Sequence, residues 1–282
     1  MKVAGALGEG IDRLTGGPNP RLDAEVLLAW ARGCTRAELL GDREERLTAR
    51  ELARYRRALD RRARGEPVAY LLGRREFMSL DFEVNPAVLI PRPETEVLVE
   101  EACRLVAGRG AVLADAGTGS GAVAVALAHH CPGTVVYATD CSEAALEVAR
   151  RNARRLGVGD RVRFHAGDHL EPLQAAGVAG ISGVLSNPPY VPTADLARLP
   201  VDVRAFEPLL ALDGGPDGLR SHRILAAEAA RLLGPGGWLG LEVGPGQAQA
   251  VAAIMAGAGF GGPRVLPDLA GRPRAVFAEL GS

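Results

Sequence analysis

A chain of 282 residues with 47% hydrophobic and 24% charged side chains can bury a full core, and its length suits a main domain with a smaller appendage. No stretch reaches the roughly 18 uninterrupted apolar residues of a membrane span, and MKVAGALGEGIDRL lacks a basic leader with a long apolar run, so a cytoplasmic protein is expected. Net charge is −1, with 16 Lys and Arg against 12 Asp and Glu in residues 1–80 and 17 against 22 beyond, which argues against tight binding to bare duplex DNA.

From Met1 to about Arg64 the pattern is helical, with Leu22, Val26, Leu27 and Trp30 at spacings of three and four, and Gly16-Gly17-Pro18-Asn19-Pro20 separates two of the helices. Thr48 followed by Glu51 predicts a helix start, after which Arg50, Arg54, Arg56, Arg57, Arg61, Arg62 and Arg64 make the most basic segment of the chain. Such a run reads first as a solvated helix face and second as a surface for an acidic or ribosome-related partner. From Val68 to Val84 the alternation predicts a β-hairpin, and Leu89-Ile90-Pro91-Arg92-Pro93-Glu94-Thr95-Glu96 leads into a helix ending near Val106. The expected organisation is a helical domain over residues 1–66, a hairpin and helix linker over 67–109, and a catalytic domain over 110–282.

Beyond Gly110 strands alternate with helices: AVLADAG, a helix from Ser120 to His129, VVYATD, a helix from Ser142 to Leu156, RVRFHAGD and ISGVLSN. A helix from Leu219 to Leu233, the strand WLGLEVG, a helix from Gln247 to Ala258, and the segments PRVLPD and RAVFAEL complete the chain. This rhythm predicts an α/β fold with a seven-stranded, mostly parallel sheet, the last two strands forming an antiparallel hairpin that leaves an antiparallel edge strand. That ending favours a Rossmann-like methyltransferase over a six-stranded dinucleotide fold. Cys34, Cys103, Cys131 and Cys141 form no C-x-x-C pair and have no His at ligand spacing, so free thiols and no metal site are expected.

Asp115-Ala116-Gly117-Thr118-Gly119-Ser120-Gly121 follows an apolar strand and opens a helix, and its glycines let backbone approach a ligand closely. Asp140 ends the next strand 23 residues after Gly117, near the ~20-residue spacing at which a carboxylate accepts from ribose hydroxyls. A nucleoside-containing cofactor follows, either a methyl donor or NAD. Asp168 and His169 close the third strand, where the first can accept from an adenine amino group and the second can lie on its ring.

Ser186-Asn187-Pro188-Pro189-Tyr190 closes the fourth strand. An amide lone pair is delocalised into its carbonyl, so attack on a methyl sulfonium needs the NH₂ oriented and its developing positive charge met by acceptors. The Asn187 side-chain oxygen and the Pro188 carbonyl can each accept one N–H, while Tyr190 can sandwich the planar group, so positioning is the main catalytic contribution.

With these motifs the chain resembles the bacterial release factor glutamine methyltransferases, known as HemK or PrmC. The matching positions are residues 65–70, Leu89 to Glu96, Asp115 to Gly121, Asp140, Asn187 to Tyr190 and Glu207-Pro208-Leu209. The resemblance implies a helical domain, a hairpin linker and a catalytic domain that methylates the N5 amide of the glutamine in the Gly-Gly-Gln loop of class I release factors. It implies S-adenosyl-L-methionine as donor and S-adenosyl-L-homocysteine as product. Contacts to the donor fall on Gly117, Thr118, Gly119, Ser120, Gly121, Asp140, Asp168, His169 and Asn187, and contacts to the substrate amide on Asn187, Pro188, Pro189 and Tyr190. The expected protein is a monomer whose partners are release factors, without direct contact to nucleic acid or membrane. The alternatives are a glutamine methyltransferase acting on ribosomal protein L3 and a DNA adenine N6-methyltransferase; the second calls for a base-recognition domain and a basic groove not evident here.

Overall fold

The computed structural model describes residues 1–281, which form two compact units: residues 1–74 with 200–206, and residues 75–199 with those from 207 onward. The first unit is helical, with α1 (Val3–Arg13), α2 (Pro20–Arg32), α3 (Arg36–Gly41), α4 (Ala49–Ala63) and α5 (Val68–Leu72). Pro20 stands at the first helical position of α2, where its missing N–H goes unneeded, and α2 ends on Gly33 in the left-handed region. Reciprocal capping boxes, Thr35 with Glu38 and Thr48 with Glu51, start α3 and α4. Leu27, Leu28, Leu39, Tyr55 and Leu59 are fully buried among these helices, and α1 approaches Tyr55 so closely that a Cβ on Gly10 would lie 1.8 Å from its hydroxyl oxygen.

The basic run on α4 is tied largely within this unit. Arg56 makes a two-pronged pair with Glu9 at 2.9 and 2.8 Å, Arg62 donates to Asp23 at 2.7 Å, and the Arg54 guanidinium lies 3.7 Å from the centre of the Trp30 ring.

Residues 68–72, expected as the first half of a hairpin, are instead the helix α5. Pro67 precedes it, Gly73 at φ +73° closes it, and Tyr70 and Leu71 are buried, so burial within the helical unit overrides the strand-like alternation. The hairpin itself is confined to β1 (Arg74–Phe77) and β2 (Leu80–Glu83), joined through Met78 and Ser79, both at positive φ.

In the second unit a 3₁₀ turn over Pro93–Thr95 leads into α6 (Glu96–Leu105), and the alternating series follows. It comprises β3 (Val112–Ala116), α7 (Ala122–His130), β4 (Val135–Asp140), α8 (Glu143–Arg155), β5 (Val162–Ala166), α9 (Glu171–Ala175) and β6 (Ile181–Ser186). After α10 (Val201–Arg204), which belongs to the helical unit, come α11 (Arg220–Leu232), β7 (Leu233–Glu242), α12 (Ala248–Gly257), β8 (Phe260–Pro267) and β9 (Pro273–Leu280). The sheet has the order β5-β4-β3-β6-β7-β9-β8, with β3 to β7 parallel and β9 antiparallel to both neighbours.

The antiparallel strand is therefore not at the edge, as expected from sequence, but one position inside it. Val276 and Phe277 of β9 are buried and need cover on both flanks, whereas the middle of β8 is exposed and suits the rim. Helix α7 is apolar on every face and its residues from Ala122 to Ala128 are all buried, as befits a helix enclosed on all sides. Trp238 on β7 stands opposite Gly183 on β6, where a Cβ would come within 2.3 Å of the indole. Strand order reverses between β3 and β6, which opens a crevice at their carboxyl ends. All four cysteines are free thiols, with the Cys103 and Cys131 sulfurs 2.8 Å apart.

Candidate active site

A cavity of 530 Å³ occupies that crevice, and Gly117, Gly119, Asp140, Asp168, His169, Asn187, Pro188 and Pro189 all line it. Seventy residues of chain thus separate groups that share one wall, because β3 and β6 are neighbours in the sheet.

The glycine turn is built from behind. Asp115, 1% exposed at the end of β3, accepts from the Thr118 hydroxyl at 2.6 Å and from the Ala124 amide at 3.1 Å, and burial pushes its carboxyl up to about 7. Gly117 and Gly119 lie at φ +71° and +56°, and a Cβ on either would meet nothing within 4 Å, so the turn presents bare backbone to open space. Gly121 serves packing instead: a Cβ there would stand 3.0 Å from Ala149 of α8. Thr118 and Ser120 are buried and do not line the cavity. Asn152 locks the turn, its amide nitrogen donating to the Ser120 carbonyl at 2.8 Å and to the Glu83 carbonyl at 3.0 Å.

The Asp140 carboxylate accepts from the Gly119 amide at 2.8 Å and from the Ser142 amide at 2.9 Å, and burial raises its pKa despite these bonds. A carboxylate has about four acceptor directions, so two remain for a diol. Asp168 and His169 are joined at 2.9 Å between carboxylate and Nδ1, and His169 adopts φ +44°, a conformation rarely held by a non-glycine residue. The Thr139 hydroxyl donates to the His169 carbonyl and anchors that turn to β4.

At the end of β6, the Ser186 hydroxyl donates to the Ala116 carbonyl at 2.7 Å, tying the two functional turns together. Asn187 donates through Nδ2 to the Thr95 hydroxyl at 3.1 Å, and Thr95 donates to the Glu242 carboxylate at 2.6 Å. Tyr190 does not line the cavity; its ring lies over Gly244, where a Cβ would be 2.9 Å from Cδ2, and burial pushes its phenol up to about 12. The Tyr190 carbonyl accepts from Gln247 Nε2 at 2.9 Å, and the Gly244 amide donates to Gln247 Oε1 at 2.9 Å, which staples the loop to the end of β7.

Thr95, Asn152, Glu242 and Gln247 were not among the residues expected at the site. Thr95 lay within a segment already marked, and Glu242 ends a strand at the carboxyl edge of the sheet, which was the available signal; Asn152 and Gln247 are polar residues in helical stretches and gave none. The Arg92–Glu207 ion pair, in which Glu207 also accepts from the Ile90 amide at 3.4 Å, joins the segment before α6 to the one after α10. Leu209 and Leu210, 62% and 74% exposed, form an apolar rim on the cavity.

Residues 5–73 match the PrmC N-terminal domain and residues 94–199 match the methyltransferase small domain. A release factor glutamine methyltransferase of Moorella thermoacetica is 52% identical over 99% of this chain and 98% of its own length. The chain belongs to the release factor glutamine methyltransferase family. Another member, from Geobacter sulfurreducens, is 44% identical over 93% of this chain and 90% of its own. A methyltransferase of Pyrococcus furiosus shares the fold at TM-score 0.54 and 21% identity, over 72% of this chain and 90% of its own. The two matched segments of the family correspond to the helical unit and to the front half of the sheet that carries the cavity. Among the described residues no helix is long and apolar enough to cross a membrane.

Proposed function

We propose that this protein transfers the methyl group of S-adenosyl-L-methionine to the N5 side-chain amide of the glutamine in the Gly-Gly-Gln motif of class I release factors. The observation that carries the reading is one cavity lined by an open glycine turn, the Asp140 carboxylate and the Asn187-Pro188 acceptors. Bare backbone at Gly117 and Gly119 and the free acceptor directions on Asp140 fit the nucleoside and amino-acid portions of the donor, which supplies an electrophilic methyl on a sulfonium. Asp168 and His169 also line the cavity and take the adenine in this reading.

Asn187 Oδ1 and the Pro188 carbonyl each accept one N–H of the incoming amide, which fixes its plane and leaves the nitrogen facing the methyl. The N–C bond forms as the S–C bond breaks, S-adenosyl-L-homocysteine departs, and the methylated amide loses one proton to water. The acceptors stabilise positive charge that develops only in the transition state, the situation in which fixed dipoles contribute most. The helical unit serves substrate recognition in this reading, and the protein works as a cytoplasmic monomer.

The test is methyl transfer from radiolabelled donor to a class I release factor, compared with its Gln→Ala variant and with ribosomal protein L3 and DNA. Label on the intact release factor alone is expected; label on L3 or DNA instead would overturn the choice of substrate while keeping the chemistry.

A further inference from the structure

The hydrogen bonds behind Asn187 run in one direction. Burial pushes the Glu242 carboxyl up to about 7, and above that pH it is ionised and can only accept, so the single proton of the Thr95 hydroxyl is then committed to Glu242 at 2.6 Å. The Thr95 oxygen is then available to Asn187 only as an acceptor, and the group 3.1 Å away must be the amide NH₂. Asn187 Oδ1 therefore turns toward the cavity. With Glu242 ionised, the assignment of oxygen and nitrogen follows from the chain of donors.

The chain is built into the fold. Thr95 is 5% exposed and Glu242 2% exposed, and the Glu242 backbone carbonyl accepts from the fully buried His222 ring at 2.9 Å. Thr95 sits at the junction of the 3₁₀ turn and α6, Asn187 after β6, and Glu242 at the end of β7, so three elements meet on one hydroxyl. A carboxylate withdrawn from water costs stability that only its partners offset, and the Thr95 hydroxyl is one of them.

We propose that Thr95, clamped by Glu242, is a positioning residue that holds the Asn187 amide with its nitrogen inward and its oxygen toward the reacting substrate; this rests on the reading of Asn187 given under Proposed function. Without the clamp the amide turns over freely, and half of its orientations present an N–H donor to a substrate NH₂ that needs an acceptor. Thr95 touches neither substrate nor donor in this arrangement, and its effect reaches the reaction only through Asn187.

The experiment compares the full-length protein with Thr95→Val, which keeps the shape and removes the hydroxyl, Thr95→Ser, which restores it, and Glu242→Gln, which can donate to Thr95 and release its proton toward Asn187. Two readouts are taken at about pH 8.5, where Glu242 is ionised: kcat and KM on a class I release factor, and the side-chain NH₂ resonance of Asn187, assigned by its loss in Asn187→Asp. Thr95→Val and Glu242→Gln are expected to lower kcat roughly 10- to 100-fold with the KM for the methyl donor within about twofold, and Thr95→Ser to restore most of the loss. The Asn187 NH₂ exchanges slowly with solvent in the parent and in Thr95→Ser, and faster in the other two. A kcat within twofold of the parent in whichever of Thr95→Val and Glu242→Gln folds, or unchanged Asn187 exchange, overturns the proposal. If the parent does not methylate the release factor, the substrate reading fails, and the exchange measurement still decides the clamp.

Discussion

The glycine turn and the Asn187-to-Pro189 stretch line one cavity but are held by different means. The first is shaped by its own segment, where Asp115 binds Thr118 and Ala124 and the glycines take up positive φ, and it is braced through its backbone by Asp140 and Asn152 from the next two elements. The second is fixed by residues remote in sequence, with Thr95, Glu242 and Gln247 reaching it from other elements. A turn that presents backbone is set mainly by its own φ values and can be braced through backbone groups. A loop that must present a side-chain acceptor in one orientation needs a second layer of polar groups behind it.

If that contrast is right, the largest effect belongs to the acceptor itself. Asn187→Ala should lower kcat by roughly 100- to 1000-fold while donor affinity, followed by calorimetry with S-adenosyl-L-homocysteine, changes little. A parallel collapse of donor binding would show that the two segments are not separable. Asp140→Ala should do the reverse, weakening donor affinity about 10- to 100-fold through lost charge-assisted bonds and a loosened Gly119 amide, with a smaller change in kcat at saturating donor.

The third effect is on stability. Burial holds Glu242 and Asp115 up to about 7, above their ordinary values of 4.5 and 3.8. Between the ordinary value and about 7 the native state keeps a proton that the unfolded chain has released, so each group makes stability fall as pH rises through that window. The slope is about 1.4 kcal/mol per pH unit for each proton retained. Denaturant unfolding from pH 4.5 to 7.5 should show a shallower decline in Glu242→Gln than in the parent, and identical slopes would mean that Glu242 stays ionised throughout. The smallest effect is Thr48→Ala, which removes the cap of α4 and should cost about 1 kcal/mol in the thermal unfolding of the helical unit without altering kcat.

The order of strands and helices was legible because period and turn chemistry are local: apolar runs ending in Asp115, Asp140, Asp168 and Asn187 marked the strands that meet the crevice. Two readings of the pattern differed from the fold. Residues 68–72 alternate like a strand yet form α5, because Pro67, Gly73 and the burial of Tyr70 and Leu71 outweigh a five-residue pattern. The closing hairpin was recognised, but which of its strands lies outside depends on what each can bury, and sequence spacing carries no such information.

Residue types and spacings along the chain were enough to mark Gly117, Gly119, Asp140, Asn187 and Pro188 as one chemical set, since backbone freedom, a ribose-length spacing and paired acceptors are properties of short segments. Tertiary structure decided which residues line the cavity, leaving Thr118, Ser120 and Tyr190 out of its lining and bringing Thr95 and Glu242 behind Asn187. The reason is geometric: a hydrogen bond between residues 92 or 147 positions apart exists only once the sheet has set β6 beside β7 and docked α6 against them.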